Sequence, residues 1–205
     1  MLKFQFTLIM ILLSCVVLIS CEKATDVINP GMPGIGNGDT DDMQPPDGME
    51  EPVNEGAAVV INELMADNDN VIMDPQGDFD DWLELYNSTD SSMDLSGMYL
   101  SDKEDNPTKW QFPVGTMIQA NGYLIVWLDE DHNDETATEG LHANFKLSKG
   151  GETVMLVGPD AEGNMVLDSV TFGDQETDIS YGRLPNGTGE FQTVSATPGA
   201  VNEAE

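Results

Sequence analysis

Phe79-Asp80-Asp81-Trp82-Leu83-Glu84-Leu85-Tyr86-Asn87 reads as a strand set into a core. Leu83 and Leu85 fall on one face of a period-2 pattern, and Trp82, Glu84 and Tyr86 fall on the other. The turn cluster Asn87-Ser88-Thr89-Asp90-Ser91-Ser92 stops the strand at once. Short runs of the same kind lie on both sides of it. The predicted strands are 59–65, 81–86, 98–101, 108–112, 123–128, 141–146, 153–157, 166–172, 180–184 and 191–194. Turns rich in Gly, Asn, Asp and Pro separate them, and no amphipathic helix of three turns is predicted. Many short strands at this spacing make an all-β sandwich or barrel. The run Tyr123 to Leu128 is apolar on both faces and is expected inside a sheet. Asn121-Gly122 and Lys149-Gly150-Gly151 supply tight-turn chemistry around it.

The 205 residues carry 38 acidic and 7 basic side chains, for a net charge of −31. Nucleic-acid affinity needs basic side chains that displace counterions from phosphates, so binding of DNA or RNA through a broad basic face is excluded. The acidity serves solubility or, more sharply, divalent cation binding. Cys15 and Cys21 both lie in the N-terminal apolar segment, so the folded domain is expected to have no disulfide and to depend on core burial.

Three regions are expected: 1–20, 21–57 and 58–202. Residues 1–20 have the Lys3 flank and apolar run of a signal peptide, too short for a comfortable membrane span. The run ends in Leu18-Ile19-Ser20-Cys21, which resembles the lipobox of bacterial lipoproteins. That resemblance implies cleavage before Cys21, a diacylglyceryl thioether on its sulfur and an N-linked palmitate-type chain. Several acyl chains on one residue anchor firmly, because each buried CH2 contributes about 0.8 kcal/mol. Glu22 stands where an Asp would resemble an inner-membrane retention signal, so the expected address is the outer membrane of a Gram-negative-type envelope. Residues 21–57 alternate Pro and Gly with acids and lack apolar periodicity, as expected of a disordered acidic tether.

Several fragments follow one another in the order expected of a bacterial lamin tail domain, and the stretch from about Ala58 to Asn202 resembles that family. They are Val60-Ile61-Asn62-Glu63-Leu64-Met65, Asp81-Trp82-Leu83-Glu84-Leu85-Tyr86-Asn87, Leu95-Ser96-Gly97-Met98-Tyr99-Leu100-Ser101-Asp102, Trp110-Gln111-Phe112-Pro113, Gly122-Tyr123-Leu124-Ile125-Val126, His142-Ala143-Asn144-Phe145-Lys146-Leu147-Ser148, Gly151-Glu152 and Thr197-Pro198-Gly199-Ala200-Val201-Asn202. The resemblance implies an all-β, immunoglobulin-like β-sandwich of the lamin tail domain type that acts as an interaction module rather than an enzyme. The acidic excursion 66–80 looks typical of the bacterial branch, so chromatin and filament binding are not carried over. No accompanying enzyme is expected before the chain ends at Glu205.

Candidate sites come from two acidic loops and a few aromatics. In the first loop Asp74, Asp78 and Asp81 could contribute to the six to eight oxygens that calcium takes. In the second, Asp129, Asp131, Asn133 and Glu135 alternate as at the start of an EF-hand, but Asp134 and Gly140 then break that motif. The bland alternatives are a solvated loop and a polar hairpin. His132 and His142, the two histidines, could join carboxylates around a transition metal, although no Cys or third His lies in the domain. Trp82, Tyr86 and Trp110 mark a protein or glycan patch if they are exposed, and core residues if they are not. Asp168 is expected in a buried network and Arg183, the one arginine, in an ion pair. Gly182 to Gly187 lacks the helix and the Lys-Ser/Thr of a phosphate loop, and no Gly-x-Ser-x-Gly elbow or other catalytic signature is present. The expected function is therefore a lipid-anchored, non-enzymatic module displayed on the envelope, bound to the membrane through acyl chains and to an envelope protein or glycan, with Ca2+ as a possible stabilising ion. The alternative is a calcium-dependent extracytoplasmic hydrolase or a hydrolase accessory subunit.

Overall fold

A computed structural model describes residues 57–130 and 139–205. The signal segment, the tether with Cys21, and Asp131, Asn133 and Glu135 lie outside the described residues. Thirteen strands are present among the described residues: β1 (Val59–Met65), β2 (Trp82–Asn87), β3 (Met93–Asp94), β4 (Tyr99–Ser101), β5 (Trp110–Gln111), β6 (Met117–Ile118), β7 (Tyr123–Leu128), β8 (His142–Ala143), β9 (Glu152–Val157), β10 (Val166–Phe172), β11 (Ser180–Leu184), β12 (Glu190–Ser195) and β13 (Glu203–Ala204). One short 3-10 turn, Asp160–Glu162, is present, and there is no α-helix among the described residues.

The strands form an immunoglobulin-like β-sandwich. One sheet has the order β13-β12-β11-β1-β2-β7-β8, the other β10-β9-β4-β5, and β3 pairs with β6. All pairings between these strands are antiparallel except β7 with β8. β2 lies between β1 and β7, with Leu83 opposite Leu64 and Val126, and Leu85 opposite Ile61 and Leu124. These inward residues meet Leu100, Phe112, Val154, Leu156, Val170 and Phe172 of the facing sheet in the main core. Removing such surface from water contributes about 25 cal/mol per Å², and this core is the principal source of stability.

β1 carries a bulge between Ile61 and Glu63. The extra residue keeps both Ile61 and Leu64 inward while Asn62 and Glu63 turn to the outer face. Opposite the bulge, Asp168 of β10 accepts the Ile61 N–H at 2.8 Å and two bonds from the Arg183 guanidinium, at 2.9 and 3.1 Å. Arg183 also donates to the carbonyls of Ile61 and Gly189 and lies over the Phe191 ring. The expected buried network around Asp168 and the ion pair of Arg183 are thus one arrangement, joining the two sheets.

The outer face of the larger sheet is covered as well. Trp82, Trp127 and Met65 form a second apolar cluster under Val71 and Ile72 of the acidic loop and Ala196 of the C-terminal segment. The loop holds its shape through Asn68, whose amide donates to the Ile72 and Asp80 carbonyls and accepts from Val71 and Ile72. Strand limits differ from expectation mainly at the edges. Runs 108–112 and 141–146 shorten to Trp110–Gln111 and His142–Ala143, where partners run out, and β3, β6 and β13 are short bridges without periodicity.

Candidate functional site

Two edge strands, β5 of the smaller sheet and β8 of the larger, border one side of the sandwich. Between them lies a cleft of about 480 Å³, lined by Lys109, Trp110, Gln111 and Pro113 on one side and Gly140, Leu141, His142 and Asn144 on the other. Phe112 N–H bonds to the Met98 carbonyl on the β4 side. By the alternation of an antiparallel ladder, the backbone N–H and C=O of Gln111 therefore point away from β4. Asn144 spans the seam. Its amide donates to the Lys109 carbonyl at 3.0 Å, and its buried Oδ1 has no hydrogen-bond partner among the described residues. The Lys109 ammonium bonds to Asp102 at 2.7 Å and sits over the Phe145 ring.

His142 lies against the second part of the site. β8 runs parallel to β7, pairing His142 with Trp127, and so places the imidazole beside Asp129 just past the end of β7. His142 Nδ1 is 2.5 Å from Asp129 Oδ2, and Nε2 is 2.9 Å from the Glu139 carbonyl. Gly140 leaves no slack here, since a Cβ on it would lie 3.0 Å from Nε2 and 3.2 Å from Pro75 Cγ. Burial pulls the imidazole pKa down, but the bonds to Asp129 and Glu139 and the charges of Asp129 and Asp74 outweigh it, and the net shift is upward. Both ring nitrogens therefore face an oxygen atom. Asp74 enters from the acidic loop. Its Oδ1 accepts the N–H groups of Gln76, Gly77 and Asp78 at 2.9, 2.7 and 2.8 Å. Ligating atoms of Asp74, Asp129 and His142 lie within 4.8 Å of one another, and all three residues are buried.

The structure thus draws one residue from each predicted acidic loop and adds a histidine. Asp78 is exposed, and Asp81 accepts the Leu147 N–H at 3.0 Å; neither joins the group. Burial pushes the Asp81 carboxyl up to about 7, the Leu147 bond and Lys146 opposing it. The aromatics are placed differently from a surface patch. Trp82 is fully buried, and Trp110 is buried but for an edge on the cleft. Tyr86 is half-buried with its ring centroid 4.9 Å from that of Tyr123. An exposed cluster of these three rings is therefore replaced by the Trp110 edge alone, because period-2 alternation sends Trp82 under the acidic loop.

A second buried polar group was not legible as a unit. Glu63 and Glu84 are cross-strand partners on the outer face, both fully buried. Glu63 accepts from the Thr197 N–H and hydroxyl, and Glu84 from Asn62 and the Gly199 N–H. Asn202 donates to the carbonyls of Asn62 and Arg183 and accepts from Asn62. Burial raises both carboxyls, that of Glu84 to about 7, with Glu63's charge adding to the effect. The available signal was two glutamates at outward positions of otherwise apolar strands.

The family model described as Lamin Tail Domain matches residues 52–174. No curated protein matches the chain.

Proposed function

Since the chain belongs to the lamin tail domain family, whose immunoglobulin-like members are non-catalytic modules, we propose that this protein is a lipid-anchored display module that holds an envelope protein or glycan in the cleft between β5 and β8. One observation carries the cleft assignment. Asn144 is pinned across the seam by its amide and keeps a buried acceptor, Oδ1, without a partner among the described residues. An unsatisfied buried acceptor costs about 1–3 kcal/mol, and a ligand N–H or O–H that draws the Asn144 side chain toward the cleft would relieve that cost. The Trp110 edge and Pro113 supply an apolar wall, and the Gln111 backbone, turned away from β4, supplies an N–H and a C=O. The anchor is supported by Leu18-Ile19-Ser20-Cys21 and the acidic, Pro- and Gly-rich residues after it. Family membership favours this reading over a calcium-dependent hydrolase.

Each half has its own test. Full-length protein should incorporate labelled palmitate and sediment with membranes, and Cys21→Ser should do neither; unchanged sedimentation sinks the anchor. A photo-crosslinking residue at exposed Gln111 in living cells should label a discrete envelope protein or glycan. The same group at exposed Thr171, on β10, should not. Equal labelling at both positions sinks the cleft.

A further inference from the structure

We propose that Asp74, Asp129 and His142 bind one divalent transition-metal ion of the zinc type, tying the acidic loop to the edge of the larger sheet. The residues come from three separate segments, yet their ligating atoms converge within 4.8 Å at relative exposures of 7, 3 and 6%. Convergence is the first argument: two carboxylates and an imidazole meet at one buried point, and buried charged groups are kept where they are paired or coordinate a metal.

The surroundings are those a metal-bound histidine has. Such a ring donates its outer N–H to a carbonyl or carboxylate, which fixes the other nitrogen on the ion. Here Nε2 faces the Glu139 carbonyl at 2.9 Å and Nδ1 faces the carboxylates. Asp74 is held through Oδ1 by three backbone N–H groups, and one of its carboxylate oxygens belongs to the converging set. Bonds of about 2.0–2.2 Å in a tetrahedral shell put ligands roughly 3.3 Å apart, so the contact between His142 Nδ1 and Asp129 Oδ2 must open by under about 1 Å to admit the ion. One nitrogen and two oxygens suit zinc and its neighbours, with a fourth position for water. Calcium, which takes six to eight oxygens, finds too few among the described residues. This assignment does not rest on the cleft reading, and its test reads metal uptake instead of partner binding.

The test is titration of chelator-treated full-length chain in detergent with Zn2+ by calorimetry, and with Co2+ by absorption. The expected result is one equivalent of either ion, cobalt bands of a nitrogen- and oxygen-ligated site, and no competition from millimolar Ca2+. Asp74→Asn keeps the acceptor for the three N–H groups and should melt like the parent in chelator while binding at least roughly tenfold more weakly. His142→Gln should weaken uptake to a similar extent. Exposed Asp78→Asn should leave uptake unchanged. Several results overturn the proposal: no stoichiometric uptake, unchanged affinity in Asp74→Asn, equal competition by Ca2+, or thiolate-to-cobalt absorption that places the ion on Cys15 or Cys21.

Discussion

Glu84 shows how one buried side chain can set a pH response. Its carboxyl, raised from 4.5 to about 7 by burial, favours the protonated form in the folded state. The stabilisation is complete below about pH 4.5 and is lost as pH rises toward 7, a change of about 3 kcal/mol. Asp81 acts with the same sign over the same window. Asp178, held below 3.8 first by the Asp69 N–H, acts with the opposite sign and only at lower pH. The melting temperature should therefore fall between pH 5 and pH 8. Glu84→Gln should reduce that slope, the part left belonging to Asp81, Glu63 and His142. It should also be less stable at pH 5, because an amide turns an N–H toward Asn62 or Gly199, both already donors. A slope identical to the parent's would refute the assignment. Asp168 gives a second residue-scale prediction. Asp168→Asn leaves the Arg183 guanidinium, mostly buried, without its anion, and should cost about 3 kcal/mol in denaturant unfolding. Sequence reading reached the two separately, Asp168 because it lies in line with the apolar residues of its strand and Arg183 because it is the one arginine. It could not pair them, because a bulge in a third strand sets their approach.

At the scale of elements, the C-terminal segment does more than its composition suggests. Thr197-Pro198-Gly199-Ala200-Val201-Asn202 has no alternation, yet Thr197, Gly199 and Asn202 close the outer face over Glu63, Glu84 and Asn62. Asn202→Ala deletes bonds to Asn62, Thr197 and Arg183 together and should destabilise by about 3 kcal/mol, with loss of chemical-shift dispersion around Glu84 as its signature. A drop under about 0.5 kcal/mol would show the segment to be a passive cover. The acidic loop teaches a related lesson. Its dense carboxylates read as solvated or calcium-binding, whereas Asn68 and the two apolar residues Val71 and Ile72 give it a fixed fold against Trp82 and Trp127. Central strands were legible because both of their faces are packed. Edge strands were less so, since their lengths depend on where neighbours end, which local propensity does not encode.

For the whole molecule, two packed faces of one sheet explain how a chain with net charge −31 folds. The main core and the smaller Trp82 cluster bury apolar surface on opposite sides of β1, β2 and β7. Leu85→Ala, at the centre of the main core, should cost about 2 to 5 kcal/mol. Self-repulsion opposes this burial. Raising salt from 0.01 to 0.15 M shortens the screening length from about 30 to about 8 Å, so the melting temperature should rise; an unchanged value would place the charges too far apart to matter. The sandwich was legible from alternation and turn spacing. The meeting of Asp74, Asp129 and His142 was not, because it depends on a parallel β7–β8 pairing that brings a late residue beside an earlier strand end.

The position of β1 in the larger sheet fixes an order of events during synthesis. The first strand of the domain is flanked by β2 on one side and by β11, near the end of the chain, on the other. A growing polypeptide can pair β1 with β2 early, but it keeps an open edge until Leu184 has emerged. Prematurely terminated products would expose that edge and Ile61 beneath it, and proteases would clear them before the domain could close.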